Sequence, residues 1–265
     1  MRTNPVRDLL RAGETAIGIG LGVAANPAVV KILAKTGYDF LFIDLEHNFI
    51  DPENLRNLTQ MARSEGIAPF VRTADTEYFH IAHMLDSGAF GIFVPRVENR
   101  AQAERAVAAA RFPPLGVRGC GTTATLEFNT PPDWGESLAW LNEQTLVVLQ
   151  IESQQAIDSL DDILNVQGID AIFVGPLDLS INLGVPGKMT HPRMIAAVDR
   201  VVQICQMRNM PCGILASSAD GLQEWWEKGM RLLVCGNDQG ILRSGAQQLV
   251  QGVRRFAGEP RVAGD

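Results

Sequence analysis

The chain has 265 residues, 46% of them hydrophobic, and a formal net charge of −7. The acidic balance argues against nucleic acid or an anionic membrane surface as the main partner. Four cysteines are scattered without metal-ligand or redox spacing, as is typical of a reduced cytosolic protein. Since no signal core and no apolar run of about 20 residues is present, we expect a cytoplasmic protein.

Short apolar runs alternate with helical segments along the chain, with a period of about 30 residues. The predicted strands are Ala16–Gly22, Asp39–Asp44, Ala68–Thr73, Gly91–Val97, Thr145–Gln150, Gly168–Val174, Met210–Leu215 and Met230–Cys235. Helices are predicted between them, and a long Pro- and Gly-rich segment at about 112–135 favours a functional loop.

Eight strand–helix units over residues 1–265 predict a single-domain (β/α)8 TIM barrel, a fold of about 250 residues. The right-handed crossover rule also allows a doubly wound open sheet. The barrel is preferred because polar residues follow most of the strands rather than gathering at one switch point.

Glu152 and Asp178 follow two consecutive predicted strands, so both carboxylates should reach the same mouth of the barrel. Two carboxylates without nearby cysteine suit a hard divalent ion such as Mg²⁺ or Mn²⁺, with waters completing its shell. The alternative is a solvent-facing acid at each strand end. The turn that contains Gly175 and Leu177 precedes Asp178, and its exposed amides could hold a carboxylate.

The segment Asp44-Leu45-Glu46-His47 is a second centre of polar residues after a strand. His47 is the natural general base, because its ordinary pKa lies in the physiological range. Asp86, at the end of the third predicted helix, is a candidate to orient the imidazole. Asp44 and Glu46 could hydrogen-bond metal-bound waters. The alternative is a polar region that begins the next helix.

Arg72 ends the third predicted strand with no acid next to it in sequence. A fixed guanidinium there could bind a carboxylate or stabilise an enolate that develops on the substrate. A structural salt bridge across the barrel top is the alternative. Gln150, which points the same way as Glu152 on its strand, could contact a substrate oxygen.

Together these motifs resemble those of the HpcH/HpaI family, the metal-dependent class II pyruvate aldolases typified by 4-hydroxy-2-oxoheptanedioate aldolase. The resemblance runs from about Gly13 to Phe256. Its segments are Phe42-Ile43-Asp44-Leu45-Glu46-His47, Val71-Arg72, Arg111-Phe112-Pro113-Pro114-Leu115-Gly116-Val117-Arg118-Gly119, Gln150-Ile151-Glu152-Ser153 and Gly175-Pro176-Leu177-Asp178-Leu179-Ser180.

The resemblance implies a homohexamer in which the last helix is exchanged between neighbours. It also implies roles for the site residues: metal ligands Glu152 and Asp178, base His47 supported by Asp86, and Arg72 on the pyruvate oxygens. Backbone amides around Gly175 to Asp178 would take the carboxylate.

The implied reaction is a retro-aldol cleavage of a 4-hydroxy-2-oxo acid to pyruvate, or a close 2-oxo acid, and an aldehyde. It would pass through a metal-bound enolate on Mg²⁺ or Mn²⁺, with Co²⁺ as a third candidate. The partners are therefore small molecules, a 2-oxo acid and an aldehyde. Oxaloacetate-type decarboxylation and a non-catalytic carboxylate-binding barrel are the alternatives.

Two segments depart from the family pattern. Residues 120–129 lack the basic character that the family often has there, and Gly18-Ile19-Gly20-Leu21-Gly22 stands where many relatives carry an aromatic residue. Both segments would border the aldehyde side of the pocket. The pyruvate half of the predicted site is therefore retained, and the acceptor half is altered.

Overall fold

The computed structural model describes residues 2–121 and 123–257. Eight parallel strands form a closed barrel in chain order, and β8 pairs with β1 through Ala16–Leu232 and Ile17–Leu233. The strands are β1 Ala16–Leu21, β2 Phe40–Asp44, β3 Ala68–Arg72, β4 Gly91–Val94, β5 Leu146–Ile151, β6 Ala171–Val174, β7 Cys212–Ala216 and β8 Leu232–Asn237. The closed pairing confirms the predicted (β/α)8 barrel and excludes the open sheet.

Helices surround the barrel and connect its strands. They are α1 Pro5–Arg11, α2 Pro27–Leu33, α3 Pro52–Glu65, α4 Tyr78–Asp86, α5 Arg100–Ala110, α6 Trp134–Gln144, α7 Gln154–Asp158, α8 Leu160–Ile163, α9 Pro176–Asn182, α10 Pro192–Met207, α11 Asp220–Glu227 and α12 Asp238–Ala257. In the described part of the chain, no helix has the length and apolar character needed to cross a membrane.

Phenylalanine rings fill the interior of the barrel. The ring centroids of Phe42 and Phe93 are 4.7 Å apart, and those of Phe93 and Phe173 are 4.9 Å apart. Gly18 makes room for this packing, because a Cβ at that position would lie 2.3 Å from the ring of Phe40. The barrel axis is therefore a packed core, and any site must lie at one of its ends.

Helix α1 packs beneath the amino ends of the strands. Val6 and Leu10 are buried in the same cluster as the barrel interior. The side-chain nitrogen of Asn4 donates to the backbone oxygens of Phe90 and Gln144 at 3.2 and 2.8 Å. These contacts cover the amino end of the barrel and leave the opposite end open for ligands.

Three helices are absent from the sequence prediction. Helix α1 has only seven residues, too few to show a period, α6 follows the long loop, and α9 begins inside the segment interpreted as a turn. The described part of the loop contains one turn of 3-10 helix, Ala124–Leu126. The helix expected at Gln154–Leu164 is divided into α7 and α8 at Ser159.

Helix α12 differs from the other long helices because none of its residues is buried. Leu242, Leu249, Val253 and Phe256 are all exposed, and their spacing places them on one face of the helix. A helix with an apolar stripe normally buries that stripe against a partner. This face of α12 is therefore exposed to solvent and is not covered by any of residues 2–121 and 123–257.

Candidate active site

The carboxyl ends of β2 and β3 bring an acid and an arginine into contact. Asp44 and Arg72 are opposite each other in the strand register. The Nε of Arg72 donates to Oδ1 of Asp44 at 2.8 Å, and its Nη1 lies 3.0 Å from Oε2 of Glu46. The structure thus places three of the predicted site residues together. The salt bridge considered for Arg72 in the sequence analysis is present, and the role of Arg72 on a substrate stays a prediction.

Burial and ion pairing oppose each other in this group. Burial raises the pKa of Asp44, but the hydrogen bond and the charge of Arg72, together with the backbone N–H groups of Glu46 and His47, hold that pKa below its usual value. For Arg72, burial lowers the pKa, while the hydrogen bond to Asp44 and the charges of Asp44 and Glu46 raise it overall. The guanidinium is therefore a fixed cation at the mouth of the barrel.

Glu152, directly after β5, is almost fully buried, with 6% of its surface exposed. Its Oε2 accepts a hydrogen bond from the backbone N–H of Arg96 at 2.9 Å, and its Oε1 accepts from Nε2 of Gln150 at 2.8 Å. Burial raises the pKa of Glu152, the Arg96 amide lowers it, and the charges of Glu46 and Asp178 raise it. Together these effects raise the pKa of Glu152 to about 7.

Asp178 lies in the first turn of α9 and shares a cavity of about 300 Å³ with Glu152. Gly175 permits the close approach of these elements, because a Cβ there would lie 2.3 Å from Oε1 of Glu152. The Oε1 of Gln150 is buried without a hydrogen-bond partner among the described residues.

This arrangement fits a hard divalent cation with an incomplete set of protein ligands. Within residues 2–121 and 123–257, no three His, Cys, Asp or Glu side chains form a complete metal cluster. Glu152 and Asp178 would supply two oxygens, and water and substrate oxygens would supply the rest, which is how Mg²⁺ is usually held. The buried acceptor on Gln150 could receive a hydrogen bond from such a water.

His47 and Asp86 are at opposite ends of the barrel. His47 is exposed in the loop after β2, with its Nε2 3.8 Å from Oε2 of Glu46. Asp86 is the last residue of α4, which runs away from the mouth, and its Oδ1 accepts a hydrogen bond from Nη2 of Arg118 at 2.8 Å. Within the described chain Asp86 therefore contacts Arg118 rather than His47, and its support of the imidazole stays a prediction.

Arg96 lies near the end of the fourth predicted strand and has the same two interpretations as Arg72, but the role of its backbone amide and the contribution of Asn48 were not predicted. Arg96 has a left-handed backbone with φ of 56°, which aims its N–H at Glu152 and its Nε at Oε1 of Glu46, 3.1 Å away. Asn48 donates from Nδ2 to Oδ2 of Asp44 at 2.7 Å. The predicted strand Gly91–Val97 ends earlier in the structure, at Val94, and no local pattern shows which amide meets a distant carboxylate.

An eight-stranded barrel with buried ionic groups at the carboxyl ends of its strands has the architecture of an enzyme. The sequence profile of the HpcH/HpaI aldolase/citrate lyase family matches residues 22–244, and the chain belongs to this family. This membership confirms the resemblance found in the sequence and makes the protein a carbon–carbon lyase of the aldolase type.

Relatives match almost the whole chain. The 4-hydroxy-2-oxo-heptane-1,7-dioate aldolase of Salmonella paratyphi B is 36% identical over 269 residues, which span 98% of this chain and 97% of the relative. The HpcH/HpaI aldolase of Desulfitobacterium hafniense DCB-2 is 29% identical over 94% of this chain and 96% of that one, with a TM-score of 0.90. The citrate synthase SbnG is 26% identical over 96% and 98%, with a TM-score of 0.86.

Proposed function

We propose that the protein cleaves 4-hydroxy-2-oxo acids to pyruvate, or a close 2-oxo acid, and an aldehyde in a reaction that requires a divalent cation. The observation that carries this proposal is the placement of Glu152 and Asp178 on one cavity at the barrel mouth. The fixed guanidinium of Arg72 stands at the same mouth. The aldolase relatives support the reaction class.

The donor half of the substrate is held by three kinds of groups. Glu152 and Asp178 would hold a divalent cation, which would supply Lewis acidity to the bound 2-oxo acid. The predicted carboxylate site lies at the backbone amides of Gly175 and Leu177; because the amide of Gly175 already donates to the backbone oxygen of Ile151 at 3.2 Å, the amide of Leu177 would take the carboxylate. The side-chain amide of Gln150 would contact a substrate oxygen. Arg72 donates hydrogen bonds to the oxygen on which negative charge develops.

His47 is the proposed base for carbon–carbon cleavage. Its imidazole takes the proton of the 4-hydroxyl, the C4–O bond becomes a carbonyl, and the electrons of the C3–C4 bond pass to the pyruvate enolate. The aldehyde leaves, and C3 of the enolate then takes a proton to give pyruvate. Asp44 and Glu46 keep Arg72 in place throughout, since both carboxylates contact its guanidinium.

To test the proposal, pyruvate release is measured from a panel of 4-hydroxy-2-oxo acids. Each substrate is assayed without EDTA, with EDTA, and after Mg²⁺, Mn²⁺ or Co²⁺ is added back. We expect turnover that EDTA stops and a cation restores, and oxaloacetate in the panel measures decarboxylation through the same enolate. Asp178→Asn should abolish turnover, while Asp161→Asn, at an exposed acid of α8, should not. Full activity of metal-stripped protein would refute the mechanism.

The hexamer with exchanged last helices is also a proposal, and two features support it. The apolar stripe of α12 is exposed among the described residues, and an apolar cavity of about 210 Å³ lies beside β1 and α11, lined in part by Ile17, Leu222 and Trp226. A helix after the last strand would normally cover this region of a barrel. We propose that α12 of a second copy covers it.

The molar mass in solution tests this assembly. Light scattering should give six copies of the 28.8 kDa chain. Leu249→Glu, on the apolar stripe of α12, should reduce the mass, whereas Gln247→Glu, on the opposite face of the same helix, should not. A monomer for the unmodified protein, or an unchanged assembly in Leu249→Glu, would contradict helix exchange.

A further inference from the structure

A second cavity, of about 180 Å³, opens at the barrel mouth and shares Arg72 and Asp44 with the proposed reaction centre. It lies between the loops that follow β1, β2 and β8. Its remaining lining includes Gly20, Gly22, Leu215 and Asn237. Because Arg72 faces the 2-oxo acid in the proposed function, on which this inference rests, a group that enters the cavity is next to the reacting carbons.

The lining of this cavity is polar, and the charge of the guanidinium in its wall, that of Arg72, is balanced by two carboxylates. Asn48, Asn237 and Gln239 contribute neutral amides. Among the described residues that line it, there is no lysine or histidine, and the guanidinium of Arg72 already contacts Asp44 and Glu46. Such a surface can hydrogen-bond hydroxyl groups, but it cannot neutralise an additional carboxylate.

Asp238 occupies the place where a substrate carboxylate would otherwise find donors. Its Oδ2 accepts hydrogen bonds from the backbone amides of Ala24 at 2.7 Å, Val23 at 2.9 Å and Gly22 at 3.3 Å. Successive N–H groups that converge in this way form an anion-binding concavity. Here the chain's own carboxylate fills it and adds a negative charge to the cavity wall.

We infer that this cavity receives the aldehyde, and that it selects a short, uncharged hydroxyaldehyde over one that ends in a carboxylate. Its volume lies below the roughly 300–1,000 Å³ of most ligand pockets, so it suits a chain of only a few carbons. Glycine at positions 20 and 22 opens the space, and the carboxylate of Asp238 repels an anion. This preference differs from that implied by the name of the Salmonella relative, whose heptane-1,7-dioate carries a second carboxylate.

Two aldehydes that differ in one group test the inference. Glyceraldehyde and tartronate semialdehyde are both three-carbon 2-hydroxyaldehydes, and the first ends in CH2OH where the second ends in a carboxylate. For their aldol addition to pyruvate, we expect kcat/KM for glyceraldehyde to exceed that for tartronate semialdehyde by about tenfold or more, because the anion meets unneutralised negative charge. Equal values, or a preference for tartronate semialdehyde, would overturn the inference.

Removing the internal carboxylate should change this preference. Asp238→Ala frees the three backbone amides and removes one negative charge, so the ratio of the two kcat/KM values should shift towards tartronate semialdehyde by about tenfold. Gln239→Arg, which adds a cation to the wall, should shift it in the same direction and serves if Asp238→Ala does not fold. Asp220→Ala, also at the first residue of a helix, should keep the original ratio. Unchanged ratios in both cavity variants would refute the inference.

Exchange of the pyruvate methyl protons with D2O, followed by NMR, separates this inference from the proposed function. The exchange needs the donor half alone and no aldehyde. If the unmodified protein shows no cation-dependent exchange, the proposed function fails. If exchange occurs but the aldehyde preference is absent, only the assignment of the cavity fails.

Discussion

Replacing Glu152 by glutamine in metal-free protein should stabilise the fold at alkaline pH relative to the unmodified chain. Burial and the charges of Glu46 and Asp178 raise the pKa of this carboxyl, and the Arg96 amide lowers it. The net result is a pKa of about 7. At pH 8.5 the folded protein therefore contains a buried carboxylate close to two others. Glutamine keeps the shape of the side chain and removes the charge.

The magnitude follows from the linkage between protonation and folding. A carboxyl whose pKa is raised in the folded state stabilises the fold below its unfolded pKa, and that contribution is lost as the pH rises through the folded pKa. With a pKa of about 7 in the fold and about 4.3 in the unfolded chain, Glu152 contributes about 2.5 kcal/mol less stability at pH 8.5 than at pH 5. The hydrogen bond that glutamine cannot accept costs about 1 kcal/mol at both pH values, so it cancels in the difference.

Thermal unfolding in EDTA at pH 5, 7 and 8.5 measures this effect. Between pH 5 and pH 8.5, Tm of Glu152→Gln relative to the unmodified protein should rise by about 5–10 °C, since 1 kcal/mol corresponds to about 2–4 °C at this chain length. Glu14→Gln, at an exposed carboxylate before β1, should follow the unmodified protein at every pH. Parallel curves for Glu152→Gln and the unmodified protein would show that the carboxyl is not perturbed.

Three further substitutions test the site and the barrel core. Arg72→Lys should lower kcat by about 100-fold or more, because an ammonium cannot contact both carboxylates and the substrate. Circular dichroism should show that the fold is intact, and a normal kcat would exclude the guanidinium from the reaction. His47→Gln should lower kcat by about 10²–10⁴-fold, because the base is lost. The affinity for the cation, measured by calorimetry, should stay within about twofold of that of the unmodified protein. A parallel loss of that affinity would indicate that His47 is a metal ligand rather than the base. Gly18→Ala should destabilise the fold by about 1–3 kcal/mol in urea unfolding, because the added Cβ would lie 2.3 Å from the ring of Phe40. Gly245→Ala is the control, because a Cβ there has no atom within 4 Å. Equal stability of the two variants would contradict the packing argument.

The positions of the strand-end residues were predictable because they depend on local patterns. Residues Phe40–Asp44 form one continuous apolar run that ends in an acid, and a strand buried on both faces must read in that way. Once parallel strands close into a barrel, their carboxyl ends meet at one mouth. For this reason the sequence alone places Asp44, Arg72 and Glu152 at a common site.

Asp86 shows what the pattern of a single element does not decide. Its place at the end of a helix was correct, yet the helix runs away from the mouth and pairs Asp86 with Arg118 rather than with His47. The left-handed turn at Arg96 could not be predicted either, because it depends on a contact with Glu152, 56 residues further along the chain.

Periodicity and strand-end chemistry are local properties, and they were sufficient to predict the barrel and the elements that carry the reactive side chains. The raised pKa of Glu152, about 7, and the filling of the β1-loop amides by Asp238 emerge only once the chain is folded. The same is true of the apolar stripe of α12, which stays exposed in the part of the chain that the structure describes. These features depend on distances between residues far apart in sequence, and folding alone sets those distances.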